Sequence, residues 1–299
     1  MIYIKNDIFI SERGKIMDYR NKLKDKKKIV IKIGSSSLMH EETGLVDFRR
    51  MEKLVRIICD LKNQDKDVIL VSSGAIAVGR QTLKLSYKPK TVSLKQACAS
   101  VGQAQLMMMY QKLFMEYNHL AAQVLLTFDA ITNDERRLNA QNALNEILQQ
   151  GIIPIVNEND TVATEEIEFG DNDTLSAIVA HLINADLLII LSDIDGLYTD
   201  DPHKNPDAKK LSIVEEINER IDGMAKDAIS SYGTGGMSTK ISAARIATDS
   251  GADMAILSAE DLEVINQLID GEDVGTLFIA HDSEKFNTFD FIVNKGYKN

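Results

Sequence analysis

The chain is poor in cysteine, in basic charge and in long apolar runs. Only two cysteines, Cys59 and Cys98, occur in 299 residues, far apart and without metal-site spacing. Neither a disulfide framework nor a cysteine-bound metal is expected, and a reducing cytoplasm fits. The longest apolar stretch, "LLIIL" at 187–191, is far short of a membrane span. The opening "MIYIKNDIFISERGK" is broken by charges and lacks the apolar centre of a signal peptide. Lys and Arg total 34 against 45 Asp and Glu, a formal net charge of −11. A duplex binder needs a basic face, so nucleic acid is not an expected partner, nor is a membrane. An anionic ligand must instead be held by a few placed lysines or by backbone N–H groups. The five histidines are scattered, and neither a Ser/His/Asp grouping nor an HExxH motif occurs. No metal-ligand residues are expected.

What is present is an ordinary globular balance, 44% hydrophobic and 26% charged residues. Apolar runs without alternation occur at 28–34, 67–73, 121–128, 151–157, 186–192 and 253–258. Such runs predict strands covered on both faces. Segments with helical periodicity lie between them, at 47–63, 74–84, 92–117, 133–149, 172–183 and 238–250. The alternation predicts an α/β fold, a three-layer α/β/α sandwich with a mainly parallel central sheet. The stretch 161–169 reads as a small hairpin. The first residues, ending in the basic run "KDKKK" at 24–28, read as a poorly packed extension with a solvated charge run.

In open α/β sheets, ligands bind beyond the carboxyl ends of the strands. The first strand carries Lys32 and runs into "GSSSL", with Gly34 allowing close backbone approach. A lysine between Ile31 and Ile33 suits a functional cation better than a water-facing edge residue, since hiding it alone is costly. The second strand ends in Ser72, Ser73 and Gly74 before a helix, a pattern that serves an anion site and plain N-capping alike. The fourth ends in "NENDTVA", with Asn157, Asn159 and Asp160, and Asp160 suits an ammonium. Asp171, Asn172 and Asp173 follow at a helix start, where capping is the simpler role, although two such clusters exceed what capping needs. Asp173 fits a carboxylate that orients lysines. The fifth strand ends in Ser192 and Asp193. Finally, "SYGTGGMSTK" (231–240) is a glycine-rich entry to a helix, with the hydroxyls before the lysine rather than after it as in a Walker loop.

Taken in order, "KIVIKIGSSSL", "ILVSSGAIAVG", "IPIVNENDTVA", "FGDNDTLSA", "LLIILSDIDGLYTDDP" and "GTGGMSTKISAA" resemble the amino acid kinase family, most closely its glutamate-phosphorylating members. The resemblance covers about residues 28–280. It implies residues 1–27 as an N-terminal extension, 28–280 as the kinase domain and 281–299 as a C-terminal tail, too short for the PUA domain that many such members carry. It implies transfer of the γ-phosphoryl group of ATP, with Mg²⁺, to the side-chain carboxylate of L-glutamate, the first step toward proline. Lys32 and Lys240 would face the phosphates and Asp173 would align them. Ser73, Gly74, Asp160 and Asn172, with Asn157 and Asp171, match the substrate positions. Lys32, Gly34, Ser192 and Asp193, with Thr234, Gly235, Gly236, Met237, Ser238, Thr239 and Lys240, match the ATP positions. A homo-oligomer, proline as feedback inhibitor, and a functional link to the reductase that consumes glutamyl phosphate are implied as well. Two alternatives stay open at this level. One is a relative acting on N-acetylglutamate, aspartate or UMP, and the other is a non-catalytic amino-acid sensor on the same fold.

Overall fold

The computed structural model describes residues 14, 16–162, 172–200, 204–227 and 236–281. Its centre is one eight-stranded sheet in the order β3-β4-β2-β1-β5-β7-β8-β6. The strands are β1 (Lys28–Ile33), β2 (Asp67–Ser72), β3 (Ala121–Leu126), β4 (Ile153–Glu158), β5 (Leu187–Ser192), β6 (Ile213–Val214), β7 (Asp253–Ser258) and β8 (Thr276–Phe278). All pairings are parallel except β7 with β8, which is antiparallel. The helices are α1 (Ser35–Leu38), α2 (Phe48–Asn63), α3 (Ala75–Thr82), α4 (Val92–Glu116), α5 (Phe128–Thr132), α6 (Asp134–Gln149), α7 (Asn172–Leu182), α8 (Glu219–Asp227), α9 (Met237–Asp249) and α10 (Val264–Ile269).

The six apolar runs all form strands, and the six periodic segments all form helices. Each of β1, β2 and β5 is buried along nearly its whole length between two neighbouring strands and two helical layers. That is why Val, Ile and Leu run on there without polar alternation. Alternation still decides which layer each side chain joins. Ile29, Ile31 and Ile33 pack with α2 and α4 on one face, whereas Val30 packs with α6, α7 and α9 on the other. Lys32 shares the parity of Val30, so it faces the α7/α9 layer.

Two features depart from the sequence reading. The short strands β6 and β8 were not foreseen, because two and three residues carry no measurable period. The segment read as a poorly packed extension is packed in its second half, where Arg20 and Leu23 are both fully buried. The Arg20 guanidinium donates to the carbonyls of Ser212, Glu272 and Val274 and pairs with Asp273 at 3.1 Å. An arginine can be buried there because backbone oxygens already aimed at that point replace its water. The basic run is likewise docked: Lys26 pairs with Asp253 at 2.7 Å, and Lys28 donates to the carbonyl of Ile183. The expected hairpin at 161–169 lies, from residue 163 on, outside the described residues.

A two-lysine carboxylate clamp beneath a candidate active-site cavity

Three chain segments far apart in sequence meet at Asp173. The carboxylate lies in the first turn of α7 and is completely buried. Lys32 Nζ stands 2.5 Å from its Oδ1, and Lys240 Nζ donates to its Oδ2 at 3.1 Å. Burial opposes the ionised form of Asp173, but the charges of Lys32 and Lys240 and their hydrogen bonds more than offset it, holding the carboxyl below its ordinary range. The clamp thus sets one carboxylate against two lysine side chains. Lys32 and Lys240 are themselves nearly buried, 9% and 5% exposed, yet both reach the surface of a cavity above them. α7 and α9 pack side by side, α7 over β1 and α9 over β7, and their first turns bring Asp173 and Lys240 to Lys32.

The cavity holds about 670 Å³ and opens at the carboxyl ends of β1, β2, β4 and β5. Ser73 and Gly74, beyond β2, line one wall, and Asn157 and Asp160, at the end of β4, line another. Asn172 joins the two walls. Its Nδ2 donates to Ser73 Oγ at 2.6 Å and to Asn157 Oδ1 at 2.9 Å. Asn157 is fixed in turn by donating to Gln103 Oε1, and Gln103 donates to Gln123. Because Ser73 Oγ accepts from Asn172, its own O–H is left to donate to a bound oxygen. Ser72, the preceding residue, turns to the opposite face and meets the Tyr110 hydroxyl at 2.9 Å. The period of the strand thus separates two serines that look alike in sequence.

Two helices that open at the site begin differently from α2, α4 and α6. α2, α4 and α6 have side-chain caps from Asp47, Thr91 and Asn133. α3 opens on Gly74 and α9 on Gly236, and neither has a side-chain cap. Among the described residues no side chain caps their first N–H groups, which suits a ligand. Gly74 is required by its backbone as well, since its φ of 115° is one that side-chain-bearing residues rarely adopt. Gly34 has ordinary dihedrals, and a Cβ there would make only ordinary contacts, 3.8 Å from Lys32 Nζ and from Ser36 Oγ, so neither backbone nor neighbours require glycine at this position.

Of the residues expected in the site, Lys32, Gly34, Ser73, Gly74, Asn157, Asp160, Asn172, Ser192, Asp193 and Lys240 line this single cavity, and Asp173 lies under it. Gly236, Met237, Ser238 and Thr239 stand at the start of α9 but do not line it. Met237 is a core side chain, and Thr239 Oγ1 donates to the carbonyl of Gly236 at 2.7 Å. Asp171, Thr234 and Gly235 lie outside the described residues. Gln103, Arg80, Lys88 and Lys95 were missed. They stand on helices and on the α3–α4 connection, away from strand ends, so only the fold brings them to the site. Among the described residues no group of three His, Cys, Asp or Glu side chains could hold a metal ion, and no helix is long and apolar enough to cross a membrane.

Comparison with known proteins agrees with this arrangement. The model of the amino acid kinase family matches residues 27–258. A curated glutamate 5-kinase of Clostridium perfringens is 51% identical over 269 residues, covering 89% of this chain and all of that protein. A glutamate 5-kinase of Carboxydothermus hydrogenoformans is 54% identical over 259 residues, covering 87% of this chain and 69% of that protein. Among solved structures, Giardia lamblia carbamate kinase bound to AMP-PNP superposes with a TM-score of 0.60 at 16% identity, over 86% of this chain and all of that one. Bacillus anthracis UMP kinase superposes with a TM-score of 0.57 at 18% identity, over 85% of this chain and 96% of that one. A mainly parallel sheet with the site at its strand ends, the lysine–aspartate–lysine clamp and the match over most of the length lead to one conclusion: the chain belongs to the amino acid kinase family.

Proposed function

We propose that the protein transfers the γ-phosphoryl group of ATP to the side-chain carboxylate of L-glutamate, giving glutamyl 5-phosphate and ADP. The observation that carries the reading is the burial of two lysines around one carboxylate beneath a cavity whose far walls bear Ser73, Asp160 and Asn172. A glutamate side chain, with an ordinary pKa of about 4.3, is already ionised at neutral pH and needs no general base. The difficulty is that two anions must approach each other. A carboxylate oxygen attacks the γ-phosphorus as the bond to the β,γ-bridging oxygen breaks, and that electron pair leaves on ADP. Charge spreads over the transferred group, so catalysis consists of positioning and electrostatic stabilisation.

The residues divide accordingly. Lys32 and Lys240 stabilise the transferred group from beneath, and Asp173 fixes where their ammonium groups point. Asp173 is thus a positioning residue. The Ser73 hydroxyl and the N–H groups opening α3 hold the reacting carboxylate, while Asp160 takes the substrate ammonium, with Asn157 and Asn172 completing that wall and Asp171 assigned to the same substrate. Gly34, Ser192, Asp193 and the 234–240 segment flank the nucleotide. Mg²⁺ would arrive with ATP and neutralise part of the phosphate charge, bound mainly by phosphate oxygens and water. The donor set suits this, since the buried carboxylate at the centre is already engaged by two lysines. Residues 28–280 form the catalytic unit in this reading, between an extension at 1–27 and a tail at 281–299. A cytoplasmic homo-oligomer and inhibition by proline go with the same reading. So does a reductase that consumes the labile acyl phosphate.

The sensor alternative is disfavoured by the intact clamp. Acceptors such as N-acetylglutamate, aspartate or UMP are disfavoured by the two relatives at about half identity that are named glutamate 5-kinase. ATP consumption with glutamate, aspartate, N-acetylglutamate and UMP, with hydroxylamine to trap acyl phosphate, tests the assignment. A hydroxamate formed with glutamate above the others is expected. Equal or greater turnover with another acceptor would overturn it.

A further inference from the structure

We propose that Arg80 binds the α-carboxylate of the amino acid acceptor and so selects glutamate over acceptors that lack a second carboxylate. The inference deepens the glutamate reading and rests on it. Arg80 lines the same cavity as Ser73 and Gly74, on the next turns of the same helix. It stands six residues beyond Gly74, about 9 Å along the axis of α3. Helical side chains lean toward the helix N-terminus, so the guanidinium extends back along the wall formed by Ile76 and Ala77.

Among the described residues, its environment is that of a prepared cation with no protein partner. The Nε atom is buried without a hydrogen-bond partner, and among the described residues Arg80 forms no ion pair. A buried donor left unmade is unfavourable, and an oxygen ligand would satisfy it. The side chain is also confined. A Cβ added at Gly44 would come within 2.9 Å of Arg80 Nη2, so the turn before Val46 lies against the guanidinium. That turn is held by Gly44 N donating to the carbonyl of His40 and by Gln81 Nε2 donating to the carbonyl of Gly44.

Charge matching identifies the ligand group. The acceptor carries three charges. The reacting carboxylate is assigned to Ser73 and the N–H groups opening α3, beside the lysine clamp, and the ammonium to Asp160, which leaves the α-carboxylate without a counter-charge. Arg80, Lys88 and Lys95 are the remaining cations lining the cavity. Lys88 is exposed on the α3–α4 connection, whereas Arg80 and Lys95 are partly buried, and of these two the guanidinium presents the planar fork that matches a carboxylate.

The test uses 4-aminobutyrate, which keeps the chain, the ammonium and the reacting carboxylate of glutamate but lacks the α-carboxylate. KM for glutamate, KM for ATP and the inhibition constant of 4-aminobutyrate are measured for the wild type, Arg80→Gln and Arg80→Lys. Arg80→Gln is expected to raise KM for glutamate roughly 10- to 100-fold, the loss of a charge-assisted contact, with KM for ATP and the 4-aminobutyrate constant unchanged. Arg80→Lys should recover part of that loss. An unchanged KM for glutamate would overturn the proposal. So would an equal rise for glutamate and 4-aminobutyrate, which marks a general collapse of the pocket, or a matching rise for ATP, which places the guanidinium on the nucleotide. Should Arg80→Gln fail to fold, Arg80→Met, another neutral side chain of similar length, carries the same comparison, and a glutamate KM equal to wild type there refutes the proposal. A wild type that forms no hydroxamate with glutamate refutes the glutamate reading itself, an outcome distinct from any failure at Arg80.

Discussion

Asp173 is the residue on which most of the chemistry depends. Its carboxyl is held below the ordinary value of 3.8 in the folded protein. A group with a depressed folded pKa stabilises the fold above its unfolded pKa and loses that contribution as pH falls through the folded value. Asp173→Asn should therefore lower stability by about 3–5 kcal/mol at neutral pH, because two buried lysines lose their counter-charge. Urea titrations across pH should show the gap between wild type and variant constant down to about pH 4 and closing below it. A gap that closes near pH 6 would mean another group is responsible. Lys240→Ala should lower kcat about 100- to 1,000-fold, the scale of a lost electrostatic stabiliser, with the hydroxamate assay as readout. Turnover near wild type would remove Lys240 from the mechanism. Asp173 was readable as something more than a cap because it followed a second polar cluster. Its partners were not readable, since Lys32 and Lys240 lie 141 and 67 positions away, as the differences 173 − 32 and 240 − 173 give.

At the scale of elements, the crossing of α3 and α4 fixes the acceptor wall. A Cβ on Gly102 would lie 1.8 Å from the carbonyl oxygen of Ala75, and one on Gly79 would lie 1.8 Å from that of Cys98. The two helices thus touch backbone to backbone, and no side chain fits between them. Gly102→Ala must push the helices apart. Since α3 begins at Gly74, the displacement reaches the loop that presents Ser73. The expected outcome is a loss of about 1–3 kcal/mol in denaturant unfolding, together with a raised KM for glutamate. A variant with wild-type stability would show that the contact relaxes freely. The same elements show what the chain made legible. The long buried strands and periodic helices were visible because burial on both faces, or on one stripe, leaves a compositional trace. β6 and β8 left none, being short and defined only by their pairing with each other and with β7.

For the whole molecule, Arg20 ties the segment before β1 to the far edge of the sheet, through the carbonyls of Ser212, Glu272 and Val274. None of these residues lines the cavity. Arg20→Ala leaves three carbonyls and Asp273 without their partner, so global stability should fall by about 3–5 kcal/mol while kcat at low temperature stays near wild type. Thermal unfolding and hydroxamate formation, measured on the same samples, separate the two effects. A selective loss of kcat would instead couple this edge to the site. The reading of this segment as loosely packed failed for a general reason. A charged, low-apolar sequence signals solvent exposure only when no polar surface elsewhere is shaped to receive it.

The sequence by itself determined the fold class, the order of the main strands and helices, and the fact that polar clusters stand at strand ends. Each of these is written locally, in burial, periodicity and helix-entry chemistry. Only the tertiary structure decided that Lys32 faces the α7/α9 layer, that Ser72 and Ser73 part company, that Gln103 anchors the polar wall, and that Arg80 joins the cavity. Those facts depend on strand parity, sheet order and helix crossing, which set distances between residues that the chain keeps far apart. Electrostatic interactions are steep functions of such distances. A lysine, an aspartate and a second lysine become a phosphoryl-transfer site only when folding holds them within hydrogen-bond reach.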